Sequence, residues 1–97
     1  MTALFIPLKT EHFEAFKSGA KECEYRPYGP RWNERTCPVG REVVLSKGYG
    51  KRERLRGRVA WFNRQSPWYP PGWLAIYGPD PVEVAEIRIT LTSTEQS

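Results

Sequence analysis

Only one stretch of this chain has the spacing of a helix, whereas several have the alternation and composition of strands. Phe13 and Phe16 stand three apart between Thr10 and Gly19, on one face of a helical turn. Glu11 and Glu14 sit in the first turns, where acidic side chains suit the helix dipole. Thr10 is placed to cap the start. Gly19 is placed to end the helix in the left-handed conformation that glycine adopts at little cost. The pattern predicts a short helix over about 10–18, stable only when its two phenylalanines are packed. With a single good helix, the apolar faces of the strands have to be covered mostly by one another. The expected fold is therefore α+β, a small closed or nearly closed β-barrel of about five strands. One short helix follows the first strand, and the loops are long. A ferredoxin-like open sheet needs a second good helix and is disfavoured.

The strand signals fall at 3–8, 22–26, 41–47, 54–62 and 82–91. Pro7 marks the first as an edge strand or a bend. In 82–91 the apolar parity changes between Val82/Val84 and Ile87/Ile89/Leu91, which predicts a bulge near Ala85–Glu86. The last six residues are expected to fray. Residues 27–38 contain Pro27, Gly29, Pro30 and Pro38 and read as an irregular loop. Residues 63–81 hold five of the nine prolines. A loop of that length in a small domain is more often functional than idle, and a turn of helix is expected near Trp73–Tyr77.

Ninety-seven residues fit one domain, 1–97, because two halves would each be too small to fold readily alone. No apolar run reaches the roughly 18 residues that a membrane span requires. The start lacks the basic region and cleavage site of a signal peptide, so the expected location is cytoplasmic, with no membrane partner. Cys23 and Cys37 are then free thiols, with Cys23 expected to be buried in its strand. A structural zinc site takes about four Cys or His ligands, and His12 is the only histidine. No metal and no cofactor are expected, and a Ser-His-Asp triad has no support. His12 reads as a surface helix residue and Trp61 as a core residue.

Charge is unevenly spread. Residues 1–25 carry three Lys against four Glu, 26–64 carry eleven Lys or Arg against three Glu, and 65–97 carry one Arg against four acids. The local balances are thus −1, +8 and −3, which sum to the net +4. A basic middle favours anionic partners, nucleic acids or nucleotides first, although a charge of +4 also serves solubility alone.

Residues 19–26, Gly-Ala-Lys-Glu-Cys-Glu-Tyr-Arg, concentrate the chemistry. Strand alternation turns Cys23 and Tyr25 to one face and Glu22, Glu24 and Arg26 to the other. Lys21 lies where the helix hands over to the strand. The bland reading is a surface ion pair worth about 0–1 kcal/mol. The sharper reading is the wall of a cleft. There an ionised Glu24 accepts hydrogen bonds from a base edge or an amine, and Arg26 grips a phosphate or carbonyl oxygen. A partly desolvated Lys21 can serve as base or nucleophile.

Tyr28, Trp32, Tyr49, Trp68, Tyr69, Trp73 and Tyr77 fall in loop or turn segments, several beside Arg31, Arg35, Lys47, Lys51, Arg52 or Arg64. Rings interleaved with cations suit single-stranded nucleic acid, since bases stack while cations follow the backbone. The alternative is that the rings cover a thin core. The Gly-Tyr-Gly turn at 48–50 lets backbone N–H groups approach an anion near Lys47, Lys51, Arg52 and Arg54. It lacks the spacing of a Walker loop and also reads as a simple hairpin turn.

The order strand, helix ending in Gly19, then Gly-x-Lys-x-x-Glu-x-Arg resembles the hallmark of the ASCH (activating-signal-cointegrator homology) domain family of the PUA-like superfamily. Residues 41–62 are similar to the strand, Gly-Tyr turn and strand of short bacterial and phage members. The resemblance covers roughly 3–62 and, less firmly, 82–91. It implies a PUA-like barrel with a cleft at the Lys-x-x-Glu-x-Arg strand that binds RNA, other nucleic acid or nucleotides. Some small members hydrolyse N4-acylated cytidines with a lysine and a threonine of one strand and a distant glutamate. Lys21 matches that lysine, Glu24 stands at the threonine position, and Glu83 and Glu86 are the late candidates for the glutamate.

The expectation is a monomer that binds RNA or single-stranded nucleic acid, or a nucleoside or nucleotide. Its ligand-binding residues are Lys21, Glu24, Arg26, Arg31, Trp32, Lys47, Tyr49 and Arg52. The alternatives are an N4-acylcytidine amidohydrolase, with Lys21 and Glu24 catalytic, and a non-enzymatic module whose basic surface meets an acidic protein.

Overall fold

The computed structural model describes residues 2–49, 53–65, 69–70, 72–78 and 83–96, with the side chains of 93–96 left aside. Strand β1 (Leu4–Leu8) alternates, sending Leu4, Ile6 and Leu8 into the core. It runs into helix α1 (Thr10–Ser18) with Lys9 at the cap position, so Thr10 is the first helical residue rather than the cap. Phe13 N–H closes the first turn onto the Lys9 carbonyl at 2.9 Å. Phe13 and Phe16 are the buried residues of α1, which packs against β1 and the next strand but one. Gly19 ends the helix with φ of 85°.

Strands β2 (Cys23–Pro27), β3 (Glu42–Lys47), β4 (Glu53–Gln65) and β5 (Val84–Gln96) follow, with a short helix α2 (Trp73–Tyr77) before β5. The sheet order is β1-β3-β4-β5-β2. β1 and β3 are parallel and all other pairs antiparallel. Parallel neighbours need a crossover, and the chain from α1 through β2 supplies it. The sheet curls into a half-barrel, and its two edge strands are tied where the Arg26 guanidinium of β2 donates to the Pro7 carbonyl of β1 at 2.9 Å. The result is an α+β domain with a barrel-like sheet. Its core draws on the inward positions of β1, β3, β4 and β5, the two phenylalanines of α1, and Trp32 and Cys37 from the irregular 28–41 segment.

Three features depart from the sequence expectation. β4 and β5 are thirteen residues each and stay paired from Gln65↔Val84 to Glu53↔Gln96, so the backbone of the last residues is laddered instead of frayed. The β5 ladders run without a break through Ala85 and Glu86, and the register shifts lie elsewhere, between Arg56 and Gly57 and between Val59 and Trp61. Val84 is buried on the face opposite to Ala85, Ile87 and Ile89, and burial on both faces mimics a parity change. The shift at Ala60 then turns Trp61 outward to 45 % exposure, so it is not a core residue. Among the described residues, no helix is long and apolar enough to cross a membrane.

Candidate functional site

The site lies at the seam between the edge strands, and local backbone bonds place each of its charged side chains. Gly19 N–H bonds the Phe16 carbonyl at 3.1 Å, and Lys21 N–H reaches back to the Ala15 carbonyl at 3.0 Å. The end of α1 therefore fixes the Lys21 backbone before β2 begins. Ile89 N–H to the Glu22 carbonyl, at 2.9 Å, anchors the next residue to β5. Along β2, Glu24 and Arg26 stand opposite Ile87 and Ala85, both core residues. The charged face of the strand is thus the inner one, and Glu24 is only 7 % exposed. Cys23 is half-buried, on the face it shares with Tyr25.

A carboxylate taken this far from water needs partners, and Glu24 has four donors. Its Oε1 accepts from Lys21 Nζ at 3.2 Å and from Tyr25 N–H at 3.2 Å. Its Oε2 accepts from Arg26 Nε at 3.1 Å and Nη2 at 2.9 Å. Four donors match the roughly four lone-pair sites of a carboxylate. Among the described residues, the two cations are not exhausted. Lys21 Nζ also bonds His12 Nδ1 at 3.1 Å, leaving one of its three N–H groups over. Arg26 spends Nε and Nη2 on Glu24 and Pro7, leaving Nη1 over. The guanidinium rests on the Trp32 ring at 5.1 Å, and Lys21 Nζ stands 5.6 Å from the centre of Phe16.

A cavity of about 1000 Å³ opens over this cluster. Lys21, Glu24, Arg26 and His12 line one side, and Trp73, Ile76 and Tyr77 of α2 line another. Tyr49, 85 % exposed, stands at its margin. Trp73 is buried, with Tyr69 and Tyr77 rings at 5.8 and 4.4 Å, and its Nε1–H has no hydrogen-bond partner among the described residues. Burial pushes the Tyr77 hydroxyl above its ordinary pKa; Arg26 draws it down and Glu24 pushes it up, so the tyrosine feels the ion cluster.

Of the residues expected to bind a ligand, Lys21, Glu24, Arg26 and Tyr49 share the cavity. Trp32 belongs to the core behind Arg26, and Arg31 stacks on it at 5.4 Å. Lys47 is engaged by Glu53 at 3.2 Å and Glu14 at 3.6 Å, outside the cavity lining. Arg52, Lys51 and Trp68 lie outside the described residues. Glu83 pairs with Arg64, and Glu86 is taken up by Tyr25 and Gln65, so neither late glutamate lines the cavity. Several cations of the basic middle segment are likewise paired, Arg58 with Glu42 and Arg64 with Glu83.

His12 is the residue that sequence reading assigned elsewhere. It is half-buried and part of the site. Its signal was present: it lies four residues before Phe16, which puts it on the same side of α1 as the buried ring. Among the described residues, no three His, Cys, Asp or Glu side chains gather to hold a metal ion. No protein-family model and no curated protein sequence matches the chain.

Proposed function

We propose that the seam cavity binds a nucleotide unit, either free or within a single-stranded RNA segment, and that the chain is a monomeric ASCH-type domain of the PUA-like superfamily. The observation that carries this reading is the meeting of Lys21, Glu24 and Arg26 in a cavity of about 1000 Å³ with aromatic side chains on its other wall. That volume is at the upper end of ordinary small-ligand pockets and has room for a base, a sugar and a phosphate. The cations attract the anionic part, and Tyr77 and Tyr49 offer rings for a base. Hydrolysis of N4-acylcytidines is supported less, because Glu24 is surrounded by donors and Glu83 and Glu86 are engaged elsewhere. A surface that meets an acidic protein is supported less again, since several cations of the basic middle segment are ion-paired.

The test is an NMR titration of the full chain with short single-stranded RNAs and with nucleotides. Shifts concentrated at residues 19–26 and 73–77, weakening steeply with salt for the RNA arm, are expected. If neither ligand class moves these residues, the reading fails. Deacylation of N4-acetylcytidine by the purified protein, lost in Lys21→Ala, would instead establish the hydrolase.

A further inference from the structure

We infer that the seam cavity recognises its ligand through a phosphate oxyanion held between Lys21 and Arg26, while Glu24 and His12 position these cations without touching the ligand. The inference rests on the cavity binding a nucleotide unit, and it follows from counting donors and acceptors around one buried carboxylate.

Glu24 accepts from Lys21 Nζ, Tyr25 N–H, Arg26 Nε and Arg26 Nη2. A ligand donor such as an exocyclic amine has no open lone pair to use there. The carboxylate therefore does not read a base edge. Among the described residues, what the cluster still offers is donors. Lys21 keeps one N–H after His12 and Glu24, and Arg26 keeps both N–H groups of Nη1. The side chains of both cations are 19 % exposed, enough to be reached from the cavity. Two cations against one carboxylate leave the cluster at +1. A group rich in acceptors and negatively charged completes both accounts, and in a nucleotide that group is the phosphate.

His12 and Glu24 restrain Lys21 from two sides. The ammonium has only donors, so His12 Nδ1 acts as the acceptor and the ring carries its proton on Nε2. Glu24 and the Pro7 carbonyl fix the guanidinium on the face of Trp32. Both donors are thus oriented before a ligand arrives, which lowers the ordering cost of binding. With the phosphate at the ion cluster, the base is left to the α2 wall, where the Tyr77 ring can stack and Ile76 adds apolar surface, neither selecting one base.

The deciding experiment is calorimetric titration of the full chain with the four ribonucleosides, their 5′-monophosphates and 5′-hydroxyl trinucleotides. At least one monophosphate is expected to bind tenfold or more tightly than its nucleoside. Lys21→Gln removes most of that difference. Glu24→Gln, which loosens the hold on both cations, narrows the same difference. A trinucleotide that binds as well as a monophosphate assigns the oxyanion to an internal diester, and one that binds poorly assigns it to a terminal phosphate; both support the inference. Nucleosides binding as tightly as their monophosphates, or a monophosphate preference undiminished in Lys21→Gln, would overturn it while leaving nucleotide binding in the cavity intact. If no nucleoside, monophosphate or trinucleotide binds, the functional reading falls and the inference falls with it.

Discussion

Replacing Arg26 by alanine is expected to destabilise the fold by about 2–3 kcal/mol. The side chain makes three hydrogen bonds, two to Glu24 Oε2 and one to the Pro7 carbonyl, and only the last joins the two edge strands. Hydrogen bonds to charged groups contribute about 1.5–3 kcal/mol each. Removing one member of a buried ion pair costs about 3–5 kcal/mol when the survivor is left alone. Here Glu24 keeps Lys21 and Tyr25 N–H, so the loss belongs at or below the low end of that range. For a domain of this size each kcal/mol lowers the melting temperature by about 4–8 °C, and a fall of roughly 10–25 °C is expected. Urea unfolding followed by tryptophan fluorescence measures the free energy directly. Arg26→Lys keeps the charge but cannot serve both acceptors and should recover about half the loss. A change within about 0.5 kcal/mol for Arg26→Ala, the value of an exposed pair, would refute the seam as a structural closure.

Gly57→Ala is expected to cost about 1–3 kcal/mol by overpacking, because its Cβ would lie 2.5 Å from the Thr90 carbonyl oxygen, and backbone cannot yield cheaply; chemical denaturation checks this. Trp32→Ala should cost about 3–5 kcal/mol as a core truncation. Trp61→Ala should cost under about 1 kcal/mol, since it loses only an exposed ring near Arg88, and equal losses at the two sites would contradict the observed register. Burial pushes the thiols of Cys23 and Cys37 up. Above the ordinary thiol value of about 8.5 the unfolded chain releases protons that the folded chain still holds. Their contribution is therefore complete below that pH and is lost as pH rises through the folded values. The urea midpoint should fall from pH 8 to 10, and fall less in Cys37→Ala.

Much of the backbone was legible because its signals are local. The helix occupies the expected 10–18 between Lys9 and Gly19, the turn of helix appears at Trp73–Tyr77, and the five strands come in the expected places along the chain, β4 and β5 running longer than their local signals. The Lys-x-x-Glu-x-Arg alternation also survives, since a strand has a period of two wherever it is placed. What was not legible depends on partners distant in sequence. Trp61 points outward because one extra residue in β4 shifts its register against β5. Trp32 is drawn into the core from a loop whose shape Asn33 sets, through bonds to the Gly29 carbonyl at 2.7 Å and from Arg35 N–H at 2.8 Å. His12 joins the cluster only because α1 ends where it brings Lys21 back beside the helix. Charge counts along the chain also misled at Lys47, whose neighbours in space are acidic.

The bond between Arg26 and Pro7 has a bearing on how the molecule avoids its own kind. β1 and β2 are the two edges of the sheet, and an open edge offers N–H and C=O groups to any passing strand. Pro7 has no N–H to offer, and its carbonyl is already occupied by a side chain from the opposite edge. An incoming strand would have to displace a guanidinium that also holds Glu24. The seam that frames the cavity therefore guards against edge-to-edge aggregation, and loosening it would expose the chain to self-association before it unfolds.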